Sequence, residues 1–244
     1  MGKIIQGNFG SKSEDKYKCT AILAAAGCGS RMALGFNKIF LSVDEKPIIG
    51  YSLDIFEIID EIQNVIIVAA KDDIPLINDI VREFGYKKVK NVICGGQTRQ
   101  ESILNGLIAM PADTEIVLIH DAARPLITES MVLKLIKTAD CEGAATCGVY
   151  AVDTLKTVDE NLNVCETLNR SRIVQTQTPQ VFKKDLIIKA HKEAISSGYK
   201  GTDDCSLLEH IGINVKVVIG ERSNIKLTTP EDFVVISSFL EYRE

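Results

Sequence analysis

The residues best suited to chemistry lie in short stretches that follow runs of apolar residues. The first is 24–32, which reads Ala-Ala-Ala-Gly-Cys-Gly-Ser-Arg-Met. Small residues let a ligand approach the main chain closely, and successive N–H groups in such a loop can form an anion-binding concavity. Arg31 adds a permanent positive charge to the same loop. The stretch therefore predicts a ligand-binding turn at the end of a buried strand.

Two further stretches have the same position after an apolar run. Gly95, Gly96 and Gln97 end one run, and Thr98 with Glu101 has the spacing of a capping box that opens a helix. Residues 120–125 read His-Asp-Ala-Ala-Arg-Pro and place charges just past the end of another run. In open α/β sheets, ligands bind at the edge formed by the carboxyl ends of the strands. Both stretches are therefore expected at a ligand-binding edge.

These loops, brought together, would combine backbone N–H groups, several cations and one carboxylate. The cations are Arg31, Lys38 and Arg124, and the carboxylate is Asp121. This mixture suits a triphosphate bound with Mg²⁺, because a carboxylate oxygen can hold the metal while cations neutralise phosphate oxygens. Taken singly, Asp121 could equally be a turn or helix-capping residue, and Lys38 and Arg124 could be solvated surface charges. The hypothesis rests on their convergence.

The elements that must position these loops alternate between strands and helices. After the first strand, the pattern predicts strands at 65–70, 89–94, 116–119, 143–152 and 215–219. Helices are predicted from Pro47 to Ile59, at 74–84, from Thr98, and at 131–139 and 183–197, with a short helix capped by Thr202 and a last one capped by Thr229. Gly85 and Gly198 are expected to end two of the helices. The fold class is α/β, with a Rossmann-like, mostly parallel sheet covered by helices on both faces.

One segment, at about 153–174, breaks the alternation. It contains two short strand patterns, 154–158 and 164–168, around an Asp-Glu-Asn turn, with no helix between them. A two-stranded hairpin is marginally stable alone. We therefore expect this hairpin to pack against a second copy of the chain as a dimerisation arm, with exchange of arms in a homodimer.

Composition limits the remaining possibilities. The chain has 244 residues, 45% of them hydrophobic, and a net charge of −5, which argues against a general nucleic-acid or membrane-surface binder. Residues 1–18 are polar and are expected to be a flexible tail, followed by a single domain at 19–244. The seven cysteines are scattered without a Cys-x-x-Cys pair, which favours a reducing cytoplasm over disulfides or a zinc site. Cys28 could be a nucleophile, but a small packing residue is the favoured interpretation.

The chain closely resembles the 2-C-methyl-D-erythritol 4-phosphate cytidylyltransferase family. Besides Lys38, the motifs that carry the resemblance are Ala-Ala-Ala-Gly-x-Gly-x-Arg-Met at 24–32, Gly-Gly-x-x-Arg-x-x-Ser at 95–102, His-Asp-Ala-Ala-Arg-Pro at 120–125, Gln-Thr-Pro-Gln at 177–180, Thr-Asp-Asp at 202–204 and Asn-Ile-Lys-Leu-Thr at 224–228. The resemblance implies a fold of the nucleotide-diphospho-sugar transferase type. It also implies transfer of a cytidylyl group from CTP to methylerythritol phosphate, with release of pyrophosphate, in the non-mevalonate isoprenoid pathway.

The resemblance further implies roles for individual residues. Arg31, Lys38 and Lys226 would be catalytic, and Asp121 would bind Mg²⁺. The nucleotide would contact Ala25, Ala26, Gly27, Gly29, Gly96, Gln97 and Ser102. Arg124, together with Thr154 and Arg170 of the partner's arm, would bind methylerythritol phosphate.

Three positions depart from the family's pattern. Asn37 precedes Lys38 where proline is common, which predicts a more mobile loop, and Ser223 stands where an aspartate could supply a second metal ligand. Gln97 stands where an acidic residue is common, so the family's contact from that side chain to the base is not implied here. The nearest alternative is a ribitol or ribulose 5-phosphate cytidylyltransferase. A catalytically silent sugar-nucleotide-binding module and a nicotinamide dehydrogenase are weaker alternatives, since the charged residues are intact and the full dinucleotide fingerprint is missing.

Overall fold

A computed structural model describes residues 17–27 and 35–242, and its centre is a seven-stranded sheet. The main strands are β1 (Cys19–Ala25), β4 (Ile62–Ala69), β5 (Val89–Cys94), β6 (Ile116–Asp121), β7 (Ala144–Tyr150), β10 (Val174–Lys183) and β11 (Lys216–Ile219). Their order is β11-β7-β10-β6-β1-β4-β5. The strands β6, β1, β4 and β5 pair in parallel, as do β11 and β7, whereas β10 is antiparallel to both of its neighbours. The sheet is therefore mostly parallel, as predicted.

The helices cover both faces of this sheet. They are α1 (Ile48–Ile58), α2 (Ile74–Glu83), α3 (Arg99–Ala109), α4 (Glu129–Glu142), α5 (Lys184–Ser197), α6 (Asp204–His210) and α7 (Pro230–Glu241). Short 3-10 helices lie at Lys38–Phe40, Lys71–Asp73 and Arg170–Arg172. The predicted capping boxes at Thr98 and Thr229 are both present. Within the described part of the chain, no helix is long and apolar enough to cross a bilayer.

The core explains why the strands are almost wholly apolar. Along β1, Ala21 and Leu23 point into the cluster formed with α1, α2 and α4, while Ile22 points into the cluster formed with α3, α5 and α6. Alternate residues of a strand face opposite sides of a sheet, so a strand covered on both sides must be apolar at every position. The apolar runs in the sequence therefore indicate strands that are buried on both faces. The predicted α/β fold class is confirmed.

Strand β10, which lies between β6 and β7, was not predicted from the sequence. Its middle is polar, and Pro179 follows a cis peptide bond from Thr178. The ladder to β7 is irregular between Thr176 and Gln180, where proline has no N–H to donate. Proline in a run of residues argues against a central strand, which is why this one was not predicted. A smaller correction concerns α6, whose cap is Asp203 and not Thr202: the Asp203 carboxylate accepts from the Ser206 N–H at 2.9 Å.

The segment at about 153–174 contains a hairpin outside the main sheet. Strands β8 (Lys156–Val158) and β9 (Val164–Thr167) pair only with each other, as do the short β2 (Ser42–Val43) and β3 (Lys46–Pro47). All residues of β8 and β9 are exposed, and so is Leu162 in the turn, with 81% of its surface accessible. The hairpin therefore presents apolar side chains to solvent in the single chain.

Candidate functional site

A cavity of about 380 Å³ opens at the carboxyl ends of β1 and β6. Its wall contains Ala24, Ala25, Ala26, Gly27, Asn37, Lys38, Ile39, Gly96, Gln97, Thr98, Arg99, Ser102, Asp121, Ala123 and Lys226. Most of the predicted nucleotide-binding and catalytic residues are therefore brought together, although they come from five separate parts of the chain. Arg124, Thr154 and Arg170 do not line this cavity. Gly29 and Arg31, like Cys28, lie outside the described residues.

The glycine loop before α3 is shaped by its contact with that helix. The Ser102 hydroxyl accepts a hydrogen bond from the Gly96 N–H at 3.1 Å and donates to the Thr98 carbonyl at 2.8 Å. A Cβ on Gly96 would lie 2.3 Å from the Cβ of Glu101, so only glycine fits. In contrast, a Cβ on Gly27 would meet no atom of the described residues within 4 Å. Gly96 is thus required by its packing against Glu101, whereas no described residue crowds Gly27 in the cavity wall.

Asp121 is the carboxylate of the cavity, and each of its oxygens faces a cation. Oδ2 lies 2.5 Å from Nζ of Lys226, and Oδ1 lies 3.4 Å from Nε of Arg99. Burial alone would raise the pKa of Asp121, but the positive charges of Arg99 and Lys226 outweigh it and lower the pKa to about 2. Asp121 is therefore ionised at neutral pH, as a metal-binding oxygen must be.

Arg99 is the arginine of the Gly-Gly-x-x-Arg-x-x-Ser motif at 95–102, but no role was predicted for it from the sequence. It is the first residue of α3, and its Nη1 lies 2.7 Å from Oδ2 of Asp204, the first residue of α6. Burial would lower the pKa of Arg99, but the carboxylates of Asp204 and Asp121 raise it, so its charge is permanent. The available signal was its position at a helix start immediately after a glycine loop, which places it at the ligand edge.

The Asn37 side chain anchors the 3-10 helix that carries Lys38. Its Nδ2 donates to the Ala25 carbonyl at 3.0 Å and to the Asp73 carboxylate at 2.9 Å, and its Oδ1 accepts from the Ile39 N–H at 3.3 Å. These contacts connect the end of β1, the lysine helix and the start of α2. The departure from proline at this position therefore supplies hydrogen bonds that a proline lacks, and Lys38 itself is largely buried in the cavity wall.

Lys226 reaches the cavity because its segment is held against the loop after β6. The Leu227 N–H donates to the Ala123 carbonyl at 2.8 Å, and Arg124 Nη1 donates to the Asn224 carbonyl at 2.7 Å. His120 contacts the same loop: its ring nitrogen Nε2 lies 3.0 Å from the Arg124 carbonyl oxygen. Arg124 thus faces the segment at 224–228 beside the cavity and helps to hold that segment in place.

Comparisons with known proteins identify the family. The sequence profile described as 2-C-methyl-D-erythritol 4-phosphate cytidylyltransferase matches residues 19–242. The chain belongs to this family. The cytidylyltransferase of that name from Clostridium tetani is 43% identical over 224 residues, which cover 92% of this chain and 91% of the relative. The one from Caldanaerobacter subterraneus is 41% identical over 222 residues, or 91% of this chain and 98% of the relative.

A solved structure agrees with the sequence relatives. The crystal structure of 4-diphosphocytidyl-2C-methyl-D-erythritol synthase from Anaerococcus prevotii matches with a TM-score of 0.83 and 35% identity. The match covers 93% of this chain and 97% of that one. The predicted family, fold class and cytidylyltransferase activity are confirmed, and the ribitol or ribulose phosphate alternative is not favoured.

We expect Asn37→Ala to lower the kcat of this cytidylyltransferase about tenfold, because the Lys38 helix would lose its cap and its tie to Ala25. Steady-state kinetics with CTP and acceptor would measure the change. Thr128→Ala is a matched control, since Thr128 caps α4 without lining the cavity. If both variants leave kcat unchanged while lowering the melting temperature alike, Asn37 acts on stability alone.

His120 should make the metal-free protein less stable in acid. Complete burial lowers the pKa of His120 from 6.5 to about 4, so the folded state resists the proton that the unfolded chain takes up below pH 6.5. At about 1.4 kcal/mol per pKa unit, proton uptake by the unfolded chain lowers the free energy of unfolding by on the order of 3 kcal/mol as the pH falls from 6.5 to about 4. Urea unfolding in EDTA, from about pH 7.5 to about pH 4.5, would measure it. His120→Gln should show a flatter pH profile than the wild type, and parallel profiles would contradict the prediction.

Proposed function

We propose that the cavity at the ends of β1 and β6 carries out the reaction of the family. In that reaction, a phosphate oxygen of 2-C-methyl-D-erythritol 4-phosphate attacks the α-phosphorus of CTP. A new P–O–P linkage forms, the bond between the α-phosphorus and its bridging oxygen breaks, and pyrophosphate leaves. The observation that carries the proposal is the placement of Asp121, Lys226, Arg99 and Lys38 around one cavity whose lining also includes the small residues of 24–27 and Gly96.

The nucleoside end of CTP would bind against the small residues of the cavity. Ala25, Ala26 and Gly27 extend from β1 on one side, and Gly96 and Gln97 lie before α3 on the other. Because Ala25, Ala26, Gly27 and Gly96 carry small side chains or none, their backbone groups are accessible to a base and a ribose. The Ser102 hydroxyl supports the loop through its bonds to Gly96 and Thr98, so its contribution to nucleotide binding is to hold that loop in shape. Gly29 belongs to the same proposed binding loop.

The triphosphate would bind where the cations converge. Lys38 and Lys226 line the cavity, and Arg31 follows β1 in the sequence. Charge builds on the phosphate oxygens as the new bond forms, and fixed cations in a partly buried site stabilise that charge more strongly than they stabilise the substrate. No general base is required, because the acceptor phosphate is already a nucleophile.

The cavity suits a magnesium ion with one protein ligand. Mg²⁺ binds through one or two carboxylates together with substrate phosphates and water, and Asp121 is an ionised, largely buried carboxylate at the required place. Among the described residues there is no cluster of three or more acidic, histidine or cysteine ligands. Bound Mg²⁺ would supply charge neutralisation to the triphosphate. Since Asp121 already pairs with Lys226 and Arg99, a bound metal requires at least one of these pairs to loosen.

The acceptor site would be completed by a second copy of the chain. Thr154 and Arg170 are exposed and lie away from this chain's own cavity, and Arg170 donates a hydrogen bond to the Val152 carbonyl. The hairpin beside them exposes Val158, Leu162 and Val164. Burial of these side chains against a partner would stabilise a homodimer in which the arm reaches the other protomer's cavity. Arg124 lies next to the cavity and would define the acceptor side of the site.

The arm assignment predicts a selective defect. Arg170→Ala should raise the KM for methylerythritol phosphate by at least about tenfold, because one charged contact to the acceptor phosphate would be lost. The KM for CTP should change much less, since the loops that bind the nucleotide belong to the protomer that holds the cavity and not to the one that supplies the arm. Arg222→Ala, another exposed arginine with a backbone carbonyl partner, is the matched control. Equal effects of Arg170→Ala on both KM values would show that the arm does not hold the acceptor.

Pyrophosphate release tests the proposed function directly. The protein with CTP and Mg²⁺ should release pyrophosphate with methylerythritol 4-phosphate and far less with ribitol 5-phosphate. The reverse preference would keep the cytidylyl transfer but change the acceptor.

The cytoplasm is the proposed location, because the cysteines of the described ranges, 17–27 and 35–242, are all free thiols.

A further inference from the structure

Asp204 lies behind the cavity and shares Arg99 with Asp121. It is only 1% exposed and begins α6, whereas Arg99 begins α3 and reaches the cavity wall. Arg99 Nη1 lies 2.7 Å from Asp204, and Arg99 Nε lies 3.4 Å from Asp121. The Arg99 guanidinium therefore bridges two carboxylates, and it lies closer to Asp204 than to Asp121.

The buried carboxylate has little other charge compensation. Within the described ranges, the salt bridges of Asp204 are those to Arg99 and to His191, whose Nε2 is 3.7 Å away. His191 is itself buried, and neither ring nitrogen has a hydrogen-bond partner among the residues described. A buried charge is costly unless it is paired. Asp204 thus depends on Arg99, and this dependence draws the guanidinium toward α6.

We propose that Asp204 is a positioning residue that holds Arg99 back from Asp121, so that the Asp121 carboxylate can take a divalent cation together with the nucleotide. This inference rests on the proposed role of Asp121 as the magnesium ligand. Without the negative charge of Asp204, Arg99 has a single carboxylate partner left. The guanidinium then closes on Asp121 and competes with the metal for its oxygens.

The test is CTP binding measured by calorimetry over a series of Mg²⁺ concentrations, without acceptor, so that no turnover occurs. Asp204→Asn preserves the shape of the side chain and removes its charge. The Mg²⁺ concentration for half-maximal CTP binding should rise about tenfold, which is within the usual coupling of neighbours in one salt-bridge network. CTP binding without Mg²⁺ should change by less than about twofold, because no metal is then present to compete with Arg99 and only the small non-additivity of independent sites remains.

Three further variants separate positioning from stability. Asp203→Asn is the matched control, because Asp203 neighbours Asp204 and caps α6, and the described residues include no salt bridge between it and Arg99. Asparagine also caps helices well, so the Mg²⁺ requirement of this variant should stay at the wild-type value. The double variant Arg99→Gln with Asp204→Asn leaves neither charge unpaired. It should need no more Mg²⁺ for half-maximal CTP binding than Arg99→Gln alone, because Asp204 acts only through Arg99. This comparison tests the inference even if Asp204→Asn alone does not fold.

Each outcome has a distinct meaning. A wild-type Mg²⁺ requirement in Asp204→Asn would overturn the inference, and so would an equal rise in Asp203→Asn. A higher requirement in the double variant than in Arg99→Gln alone would overturn it as well. A lower melting temperature without a shift in Mg²⁺ requirement would reduce Asp204 to a structural role and also overturn it. If CTP binding by the wild type does not depend on Mg²⁺ at all, the proposed metal-binding role of Asp121 is wrong, and the inference on Asp204 is wrong with it.

Discussion

Lys38→Ala is expected to lower kcat by on the order of 3 kcal/mol in transition-state stabilisation, or more than a hundredfold, with a smaller effect on the KM for CTP. Lys38 lines the cavity, and most of the residue is removed from water. A cation in such a place is worth more to a developing phosphate charge than one in solvent, because the surrounding dielectric constant is lower. Steady-state kinetics with both substrates varied would measure the effect.

Two companion variants define what the loss of Lys38 means. Lys71→Ala removes an exposed lysine from the neighbouring 3-10 helix, and its kinetics should match the wild type. Lys38→Arg keeps the charge but changes its geometry, so partial activity is expected. A normal kcat in Lys38→Ala would make this lysine a bystander. A loss of kcat in Lys71→Ala as well would indicate that positive charge near the cavity matters without regard to position.

Asp121→Asn should reduce kcat/KM by on the order of a thousandfold. The amide has nearly the same shape, but it is a poor ligand for Mg²⁺ and no longer balances the charges of Arg99 and Lys226. The variant should also lose the Mg²⁺ dependence of CTP binding, and calorimetry with and without Mg²⁺ measures this independently of turnover. Activity and binding therefore test the same carboxylate in two ways.

The control for Asp121→Asn is Asp113→Asn, which neutralises a mostly exposed carboxylate paired with Lys18 at the surface. Exposed ion pairs contribute little to stability, so this variant should behave as the wild type. If Asp121→Asn retained wild-type Mg²⁺-dependent binding of CTP, Asp121 would not be the metal ligand. Thermal unfolding of both variants would show whether a loss of activity reflects a loss of fold.

Local patterns in the sequence were sufficient to predict most of the elements. Apolar runs predicted the parallel strands because both faces of each strand are buried. The capping boxes at Thr98 and Thr229 predicted two helix starts, because a cap acts between residues three positions apart. Gly85 and Gly198 predicted two helix ends, and both adopt positive φ angles, +71° and +70°. Such signals depend on near neighbours and can be read without knowing the fold.

The edge location of the site also followed from the sequence. Loops that leave parallel strands at their carboxyl ends must lie on one side of the sheet, so residues near 26, 96 and 121 were expected to meet. The structure places them around one cavity. The resemblance to the family added Lys226, which no local pattern near the other loops could indicate.

Tertiary structure alone decided which distant groups pair. The bonds from Asp121 to Lys226 and from Arg99 to Asp204 each join residues 105 positions apart. The position of β10 between β6 and β7 likewise depends on pairing across the sheet, while its own polar, proline-containing sequence argues against a strand. Periodicity and caps describe interactions along the chain, whereas these contacts form only when the sheet order and helix packing bring separate segments together. The sequence by itself therefore determined the elements and the edge at which ligands bind, and the tertiary structure determined the charge network that makes this edge a site.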